Sequence, residues 1–168
     1  MRILGIDPGY AIVGYGVVDY AKNRFSTVGY GAITTKAKTP FENRLADIYN
    51  DMLEIIDKYK PDELSIEKLY FNTNTTTAID VSQARGVIVL AAHTKGLKIN
   101  EYTPLQVKQA LVGYGRAKKD QVEYMVKDIL KLDKMPKIDD TTDALAIAIC
   151  HANSNKYNSY LEKEIKKK

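Results

Sequence analysis

The chain has 168 residues, of which 45% are hydrophobic and 27% are charged, and its formal net charge is +4. This length suits one globular domain, and the chain lacks the low-complexity composition of disordered proteins. The chain contains no run of about 20 apolar residues, the length that a membrane-spanning helix needs, and no signal-peptide pattern at its start. Its single cysteine excludes an internal disulfide and a thiolate metal cluster. We therefore expect a cytoplasmic protein without membrane contact.

Three β-rich runs open the chain, and the tight polar connectors between them predict an antiparallel arrangement. These runs span residues 2–7, 14–20 and 26–33. Pro40 then opens a segment in which apolar residues recur at helical spacing, with acids on the opposite side. Pro61 ends this helix, and the following residues 63–67 are short and apolar enough for a buried strand.

The second half of the chain alternates helices with one more strand. We predict a helix over 78–93, a strand over 98–102, and helices from 104 to Gly113, over 118–132 and over 139–152. The residues after Asn153 are polar and end in three lysines, so we expect a disordered tail over 154–168 beyond a single domain of residues 1–153. This order of elements predicts a mixed α/β sheet with helices on its faces.

Four acids stand at positions that favour chemistry. Asp7 and Glu67 each end a predicted strand, while Asp140 and Asp143 are one turn apart at the start of the last helix. Turn formation or helix capping would explain any one of them, and capping is sufficient for Asp139. Neither explains the set, because a carboxylate at the end of a buried strand is costly unless it is solvated, paired or bound to a cation.

Carboxylate oxygens are the ligands that Mg²⁺ or Mn²⁺ prefers, and four converging carboxylates can hold two such ions. Two ions about 4 Å apart would activate water on one side of a phosphodiester and stabilise the leaving oxygen on the other. We therefore expect two Mg²⁺ ions per active site, with Mn²⁺ as a substitute.

The basic residues are unevenly distributed. Between residues 95 and 137 there are ten Lys or Arg against five acids, whereas residues 39–67 contain eight acids against three bases. A solvated helix face would explain the basic region as well as a nucleic-acid contact would, so charge alone leaves both open.

Four motifs together carry a resemblance that covers the chain from Met1 to about Asn153. They are Gly5-Ile6-Asp7-Pro8-Gly9 with Gly14-Tyr15-Gly16, Ile66-Glu67-Lys68-Leu69-Tyr70-Phe71 with Gln83-Ala84-Arg85-Gly86, the stretch from Gln106 to Gly115, and Asp140-Thr141-Thr142-Asp143-Ala144-Leu145-Ala146. In order and spacing, this pattern resembles the RuvC family of Holliday-junction resolvases. The resemblance implies a ribonuclease-H-like five-stranded sheet, with three antiparallel strands followed by two parallel ones, flanked by helices.

The resemblance also implies an activity and its residues. It implies an endodeoxyribonuclease that resolves four-way DNA junctions in recombination and repair through paired, metal-dependent nicks in two strands of like polarity. The implied catalytic and metal-binding acids are Asp7, Glu67, Asp140 and Asp143. The implied DNA contacts are Tyr70, Phe71, Asn74, Arg85, Lys108, Arg116, Lys118 and Lys119, with Tyr70 stacking on bases at the crossover. The implied partners are a second copy of the chain and the branch-migration proteins RuvA and RuvB.

Several alternatives remain at this point. Apolar residues spread around most of the 78–93 helix, which favours a dimer interface but would also suit a helix enclosed within its own domain. The opening motif also resembles the phosphate-binding hairpin of actin-like ATPases, and a ribonuclease-H-like nuclease acting on RNA precursors is a further alternative. His151, His93 and Cys150 are interpreted as surface or packing residues, because the sequence identifies no partner for them.

Overall fold

A computed structural model describes residues 1–69 and 75–165, and it describes side chains within 1–69 and 77–155. Five strands form one sheet in the order β3-β2-β1-β4-β5. They are β1 (Arg2–Asp7), β2 (Ile12–Ala21), β3 (Arg24–Thr34), β4 (Glu63–Glu67) and β5 (Lys98–Tyr102). The first three strands pair antiparallel, whereas β4 is parallel to β1 and β5 is parallel to β4. The predicted mixed sheet is confirmed.

The hairpin between β2 and β3 turns on two residues, Lys22 and Asn23. Their φ angles are 51° and 61°, which is the left-handed backbone of the two-residue turn that matches the twist of paired strands. This tight turn aligns β3 with β2 along the edge of the sheet. Strand β4 pairs with the other side of β1, so β1 occupies the centre of the sheet, between β2 and β4.

Five helices cover the two faces of the sheet. They are α1 (Phe41–Tyr59), α2 (Thr75–Thr94), α3 (Pro104–Val112), α4 (Lys119–Leu130) and α5 (Asp139–Ile165). Helices α1 and α2 pack over Leu4, Ile6, Leu64 and Ile66 on one face. Helices α3, α4 and α5 pack over Ile3 and Val18 on the other face. The domain therefore has two apolar cores separated by the sheet.

The observed elements differ from the predicted ones mainly at their ends. Helix α2 begins at Thr75 rather than at residue 78, and Gly113, with a φ of 91°, ends α3 where the sequence predicted. The backbone of α5 continues as a helix to Ile165, where we expected a disordered tail from residue 154. Polar residues can extend a helix that is already nucleated, so polarity was a poor guide to its end. Across the part of the chain that the structure describes, no helix is long and apolar enough to span a membrane.

Candidate active site

Two of the predicted acids lie side by side where two central strands end. Strands β1 and β4 are parallel neighbours, and Ile6 stands opposite Ile66 in their register. Asp7 and Glu67, the next residue of each strand, therefore lie at the same edge of the sheet. The parallel pairing brings together two acids that are 60 positions apart in sequence.

Side-chain alternation along the strands places both acids on the same face. Leu4 and Ile6 of β1 and their neighbours in β4 belong to the core beneath α1 and α2. Because successive side chains of a strand point to opposite faces, Asp7 and Glu67 point to the face that α5 covers. The alternation of apolar and acidic residues in these strands thus determines which helix the carboxylates meet.

Helix α5 contributes the other two acids from its first turn. It begins at Asp139, so Asp140 and Asp143 lie near the partial positive charge of the helix N-terminus, which favours carboxylates. The start of α5 lies against the sheet backbone at Gly14, the register partner of Asp7, and a Cβ on Gly14 would overlap the carbonyl oxygen of Asp140. Glycine at this position is what allows the helix to bring Asp140 close to Asp7.

Three of the four carboxylates, those of Asp7, Glu67 and Asp143, have raised pKa values. Burial, assisted by Glu67, Asp143 and Asp140, raises the pKa of Asp7 to about 8. Burial and the charge of Asp143 raise the pKa of Glu67 to about 7, against a lowering effect of Lys108. Burial also raises the pKa of Asp143, although Lys119 partly opposes this rise. The protein thus holds several acids together at a cost that it does not itself offset.

Oxygen donors alone make up this cluster, which suits Mg²⁺ or Mn²⁺ rather than metals that prefer sulfur or imidazole. Among the side chains of residues 1–69 and 77–155, no three His, Cys, Asp or Glu are grouped closely enough to form a finished metal site. A bound divalent cation would remove the penalty that raises the pKa values of Asp7, Glu67 and Asp143. The donor set therefore fits the predicted ions.

A cleft of about 210 Å³ opens beside the acids. Glu67 and Asp143 line it together with Lys108 of α3 and Lys119 of α4, and its apolar lining includes Val107. The Lys119 ammonium lies 3.7 Å from an Asp143 carboxylate oxygen and 3.0 Å from one of Asp139. The cleft therefore combines two of the predicted acids, Glu67 and Asp143, with two of the predicted lysines, while Asp7 is near enough to Glu67, Asp140 and Asp143 for their charges to raise its pKa.

The other predicted DNA contacts have different surroundings. Arg116 and Lys118 are exposed on the turn that leads into α4. Arg85 is mostly buried, and its guanidinium bonds the main-chain oxygen of Glu67 at 3.3 Å and forms an ion pair with Glu101. Arg85 therefore supports the strand end that carries Glu67. The predicted contacts Tyr70, Phe71 and Asn74 lie outside the described residues.

His151 is a packing residue, one of the two interpretations that the sequence allowed, and it has partners that the sequence did not identify. Its ring is fully buried, its Nδ1 lies 2.7 Å from the Tyr102 hydroxyl, and its Nε2 lies 2.9 Å from a Glu63 carboxylate oxygen. Burial lowers the pKa of His151 despite the opposing effect of Glu63. Because these partners come from β4 and β5, no spacing in the sequence could have identified them.

Comparison with known proteins gives a consistent picture. The family model "Crossover junction endodeoxyribonuclease RuvC" matches residues 3–151. Proteins with that name from Ruminiclostridium cellulolyticum and Alkaliphilus metalliredigens are 56% and 57% identical, covering 96% and 95% of this chain and 97% of each relative. The solved structure of Thermus thermophilus RuvC in complex with a Holliday junction substrate is similar with a TM-score of 0.85 at 31% identity, covering 94% of this chain and 96% of that one.

Proposed function

The chain belongs to the RuvC family of crossover junction endodeoxyribonucleases, and we propose that its four clustered acids carry the hydrolysis that resolves four-way DNA junctions. The fold is the ribonuclease-H-like fold of those resolvases. The observation that supports the acids most directly is the raised pKa of Asp7 and Glu67 beside the aspartates of α5. Family membership over residues 3–151 leaves no place for the actin-like ATPase or the RNA-precursor nuclease.

The proposed metal ligands are Asp7, Glu67, Asp140 and Asp143, and the RuvC family depends on divalent metal ions. When bound, two Mg²⁺ ions, or Mn²⁺ in their place, supply an activated water and stabilise the leaving oxygen of the phosphodiester. Their number is part of the proposal. It rests on four carboxylates, which are enough to share between two ions.

The lysines of the cleft complete the proposed mechanism. Lys108 and Lys119 line the same cleft as Glu67 and Asp143, so their ammonium groups can bind the phosphates on either side of the bond that is cut. Such contacts hold the backbone in register without reading sequence. In the protein alone, Lys119 bridges Asp139 and Asp143, and we propose that it exchanges these partners for phosphate when DNA enters.

We further propose that the chain acts as a homodimer, in which two active sites make paired nicks in strands of like polarity. Helix α2 buries Ala84 and Ile88 against the sheet, yet Ile79 and Leu90 on another face are 65% and 55% exposed. Gly86 lies between these two at helical spacing, and a Cβ added there would meet nothing within 4 Å. This exposed apolar stripe, with a small residue at its middle, suits close approach of a second α2 helix.

The remaining partners follow from the substrate. A resolvase acts on junctions in chromosomal DNA, so we propose that the protein works in the cytoplasm and receives junctions from the branch-migration proteins RuvA and RuvB. The proposed stacking of Tyr70 on crossover bases, with Phe71 and Asn74 beside it, belongs to the same proposal. These contacts would hold bases open near the acids, since stacking on an aromatic ring contributes about 1–3 kcal/mol per base.

The decisive experiment compares end-labelled four-way junctions with duplex and single-stranded DNA of matched sequence, with and without Mg²⁺. We expect symmetric nicks in the junction only, and only with the metal. Lys108→Ala should weaken junction binding and reduce the slope of log affinity against log salt by about one, because one phosphate contact is lost. Lys127→Ala, on the same helix as Lys119 but in its last turn, is the matched control. Equal cutting of duplex and junction would contradict the proposal.

A further inference from the structure

Tyr114 is an exposed aromatic residue on the turn between α3 and α4. The residue is 47% exposed, and its hydroxyl donates a 2.8 Å hydrogen bond to the Gln121 side-chain oxygen. The same oxygen accepts the main-chain N–H of Lys118 at 2.9 Å, at the start of α4. The ring is therefore held in one place at the surface, although the domain buries only part of it.

The surroundings of Tyr114 are basic and partly apolar. Arg116 and Lys118 follow it on the same exposed turn. Leu105, at the start of α3, is 58% exposed and covers the backbone of Gly115, so a second exposed apolar side chain packs on the residue that follows Tyr114. The two helices that this turn joins are the ones whose lysines line the active-site cleft.

We propose that Tyr114, together with Leu105, packs flat against a nucleotide of the DNA strand that enters the cleft. This inference rests on the proposed function and adds a contact to it. Aromatic rings interleaved with cations are the common arrangement for binding exposed nucleotides, because the cations bind phosphates while the ring stacks on the base or its sugar. A ring fixed in advance loses little conformational entropy when the nucleotide arrives.

Tyr124 provides a matched comparison within the same helix–turn–helix unit. It is more exposed than Tyr114, at 69%, and it lies on the side of α4 opposite the buried Val122 and Val126. The acidic residue Glu123 precedes it. If mere exposure of an aromatic ring were enough for DNA contact, Tyr124 would respond to DNA as strongly as Tyr114.

The absence of tryptophan from the chain makes a direct test possible. Tyr114→Trp introduces the only indole, and we expect four-way junction DNA in metal-free buffer to quench its emission, since stacking on a base quenches indole fluorescence. Tyr124→Trp should change little at the same saturation. An unchanged emission of Tyr114→Trp would overturn the inference. A change that follows protein concentration without DNA would also overturn it, by assigning the ring to contact between copies.

Affinity measurements provide the second arm. Tyr114→Ala should weaken junction binding about fivefold or more, with an unchanged salt slope because no phosphate contact is lost. Tyr114→Phe keeps the ring and should bind within about twofold of the parent, while Arg116→Ala should reduce the salt slope. Parent affinity in Tyr114→Ala would contradict the inference.

Junction cleavage by the parent protein is measured in the same experiments. This measurement tests the proposed function separately from the proposed contact of Tyr114 with a nucleotide. If the parent cuts junctions but the indole does not respond, the contact of Tyr114 is wrong and the proposed function stands. If the parent fails to cut while the indole is quenched, the nucleotide contact stands and the proposed function fails.

Discussion

Glu63 and Glu67 stand at opposite ends of β4, four residues apart and on the same face of the sheet. Glu63 is surrounded by partners, since His151 lies 2.9 Å from its carboxylate, the Asn100 side-chain amide donates to it at 2.8 Å, and the Lys98 ammonium lies 3.8 Å away. Glu67 instead faces Asp7 and Asp143, and its pKa is raised to about 7. One strand thus carries a satisfied acid and an unsatisfied one.

The different surroundings of Glu63 and Glu67 indicate that, within one strand, the first acid stabilises the fold and the second serves function. The partners of Glu63 come from β5 and α5, so its interactions connect three elements of the fold. Burial and the charge of Asp143 disfavour ionised Glu67, which costs folding free energy that Lys108 offsets only in part and that an added cation would offset further. An acid in such surroundings is kept for what it binds, in agreement with the trade-off between stability and activity at functional sites.

The largest expected effect is on cleavage. Glu67→Gln should lower the rate of junction cleavage at least about a hundredfold, because it removes a proposed metal ligand, while junction binding persists. Asp7→Asn, Asp140→Asn and Asp143→Asn should behave alike. The measurement is single-turnover cleavage of a labelled junction at saturating protein, with Glu42→Gln in the first turn of α1 as a control. A parent rate in any of the four variants would remove that acid from the site.

The second effect is on stability. Here we expect substitution of Glu63 to destabilise the fold and leave cleavage nearly unchanged, the opposite of what we expect for Glu67. Glu63→Ala should lower the free energy of unfolding by about 1–3 kcal/mol, because it leaves the buried His151 without its acceptor. Cleavage at a temperature where the variant is folded should stay within a few-fold of the parent. Urea denaturation measures the loss, and Glu63→Gln should recover part of it by keeping an acceptor oxygen. If Glu63→Ala were as stable as the parent, the contrast between the two acids would not hold.

The third effect is the pH dependence of stability without divalent ions. Asp7 and Glu67 have pKa values of about 8 and about 7 in the folded chain, above their ordinary values, so the folded state retains protons that the unfolded state releases. Their contribution to the free energy of unfolding therefore decreases as pH rises from about 4 to about 8. Asp7→Asn should be more stable than the parent near pH 8, by about 1–2 kcal/mol.

The pKa of His151 is lowered in the folded chain, so its contribution to the free energy of unfolding increases as pH rises toward about 6.5, opposite to that of the two acids. The difference in free energy of unfolding between Asp7→Asn and the parent removes this contribution, because both proteins contain His151. Thermal or urea unfolding at pH 5 and pH 8, repeated with Mg²⁺, provides this difference. A difference that is the same at both pH values would contradict the raised pKa of Asp7.

The smallest effect concerns Asp139. It is 73% exposed, and its contact is the 3.0 Å ion pair with Lys119. Exposed pairs contribute about 0–1 kcal/mol, so Asp139→Asn should change the cleavage rate less than about threefold. Measured beside Asp140→Asn, this variant tests which aspartate is the third acid of the site. A loss as large as that of Asp140→Asn would make Asp139 a ligand.

Much of the fold was predictable because each signal was local. Strands β1, β4 and β5 have the predicted limits, and the strand-end and helix-start positions of Asp7 and Asp143 follow from apolar runs with their breaks. The family resemblance then implied the strand directions, three antiparallel strands followed by two parallel ones, but not the order of the strands in the sheet. The periodicity of apolar residues indicates whether a segment is a helix or a strand. It does not indicate which other helix or strand packs against that segment.

The interactions that escaped prediction all join distant elements. Arg85 of α2 supports the main chain at Glu67, and His151 of α5 joins Glu63 and Tyr102. Lys119 was predicted as a phosphate contact, yet its pairing with Asp139 and Asp143 depends on how α4 packs against α5. The sequence offered one indication for His151, its position in an alanine-rich helix. Burying an imidazole is costly without a hydrogen-bond partner, so this position predicts that a partner exists but does not identify the residue.

The central position of β1 has a consequence for the protein during its synthesis. The strand that carries Asp7 leaves the ribosome first, whereas Asp140 and Asp143 belong to the last helix. A nascent chain can therefore hold no complete set of these acids until Asp143 has been made. Contacts over such separations also close slowly. A partly made chain that lacks the start of α5 therefore lacks two of the four proposed acids.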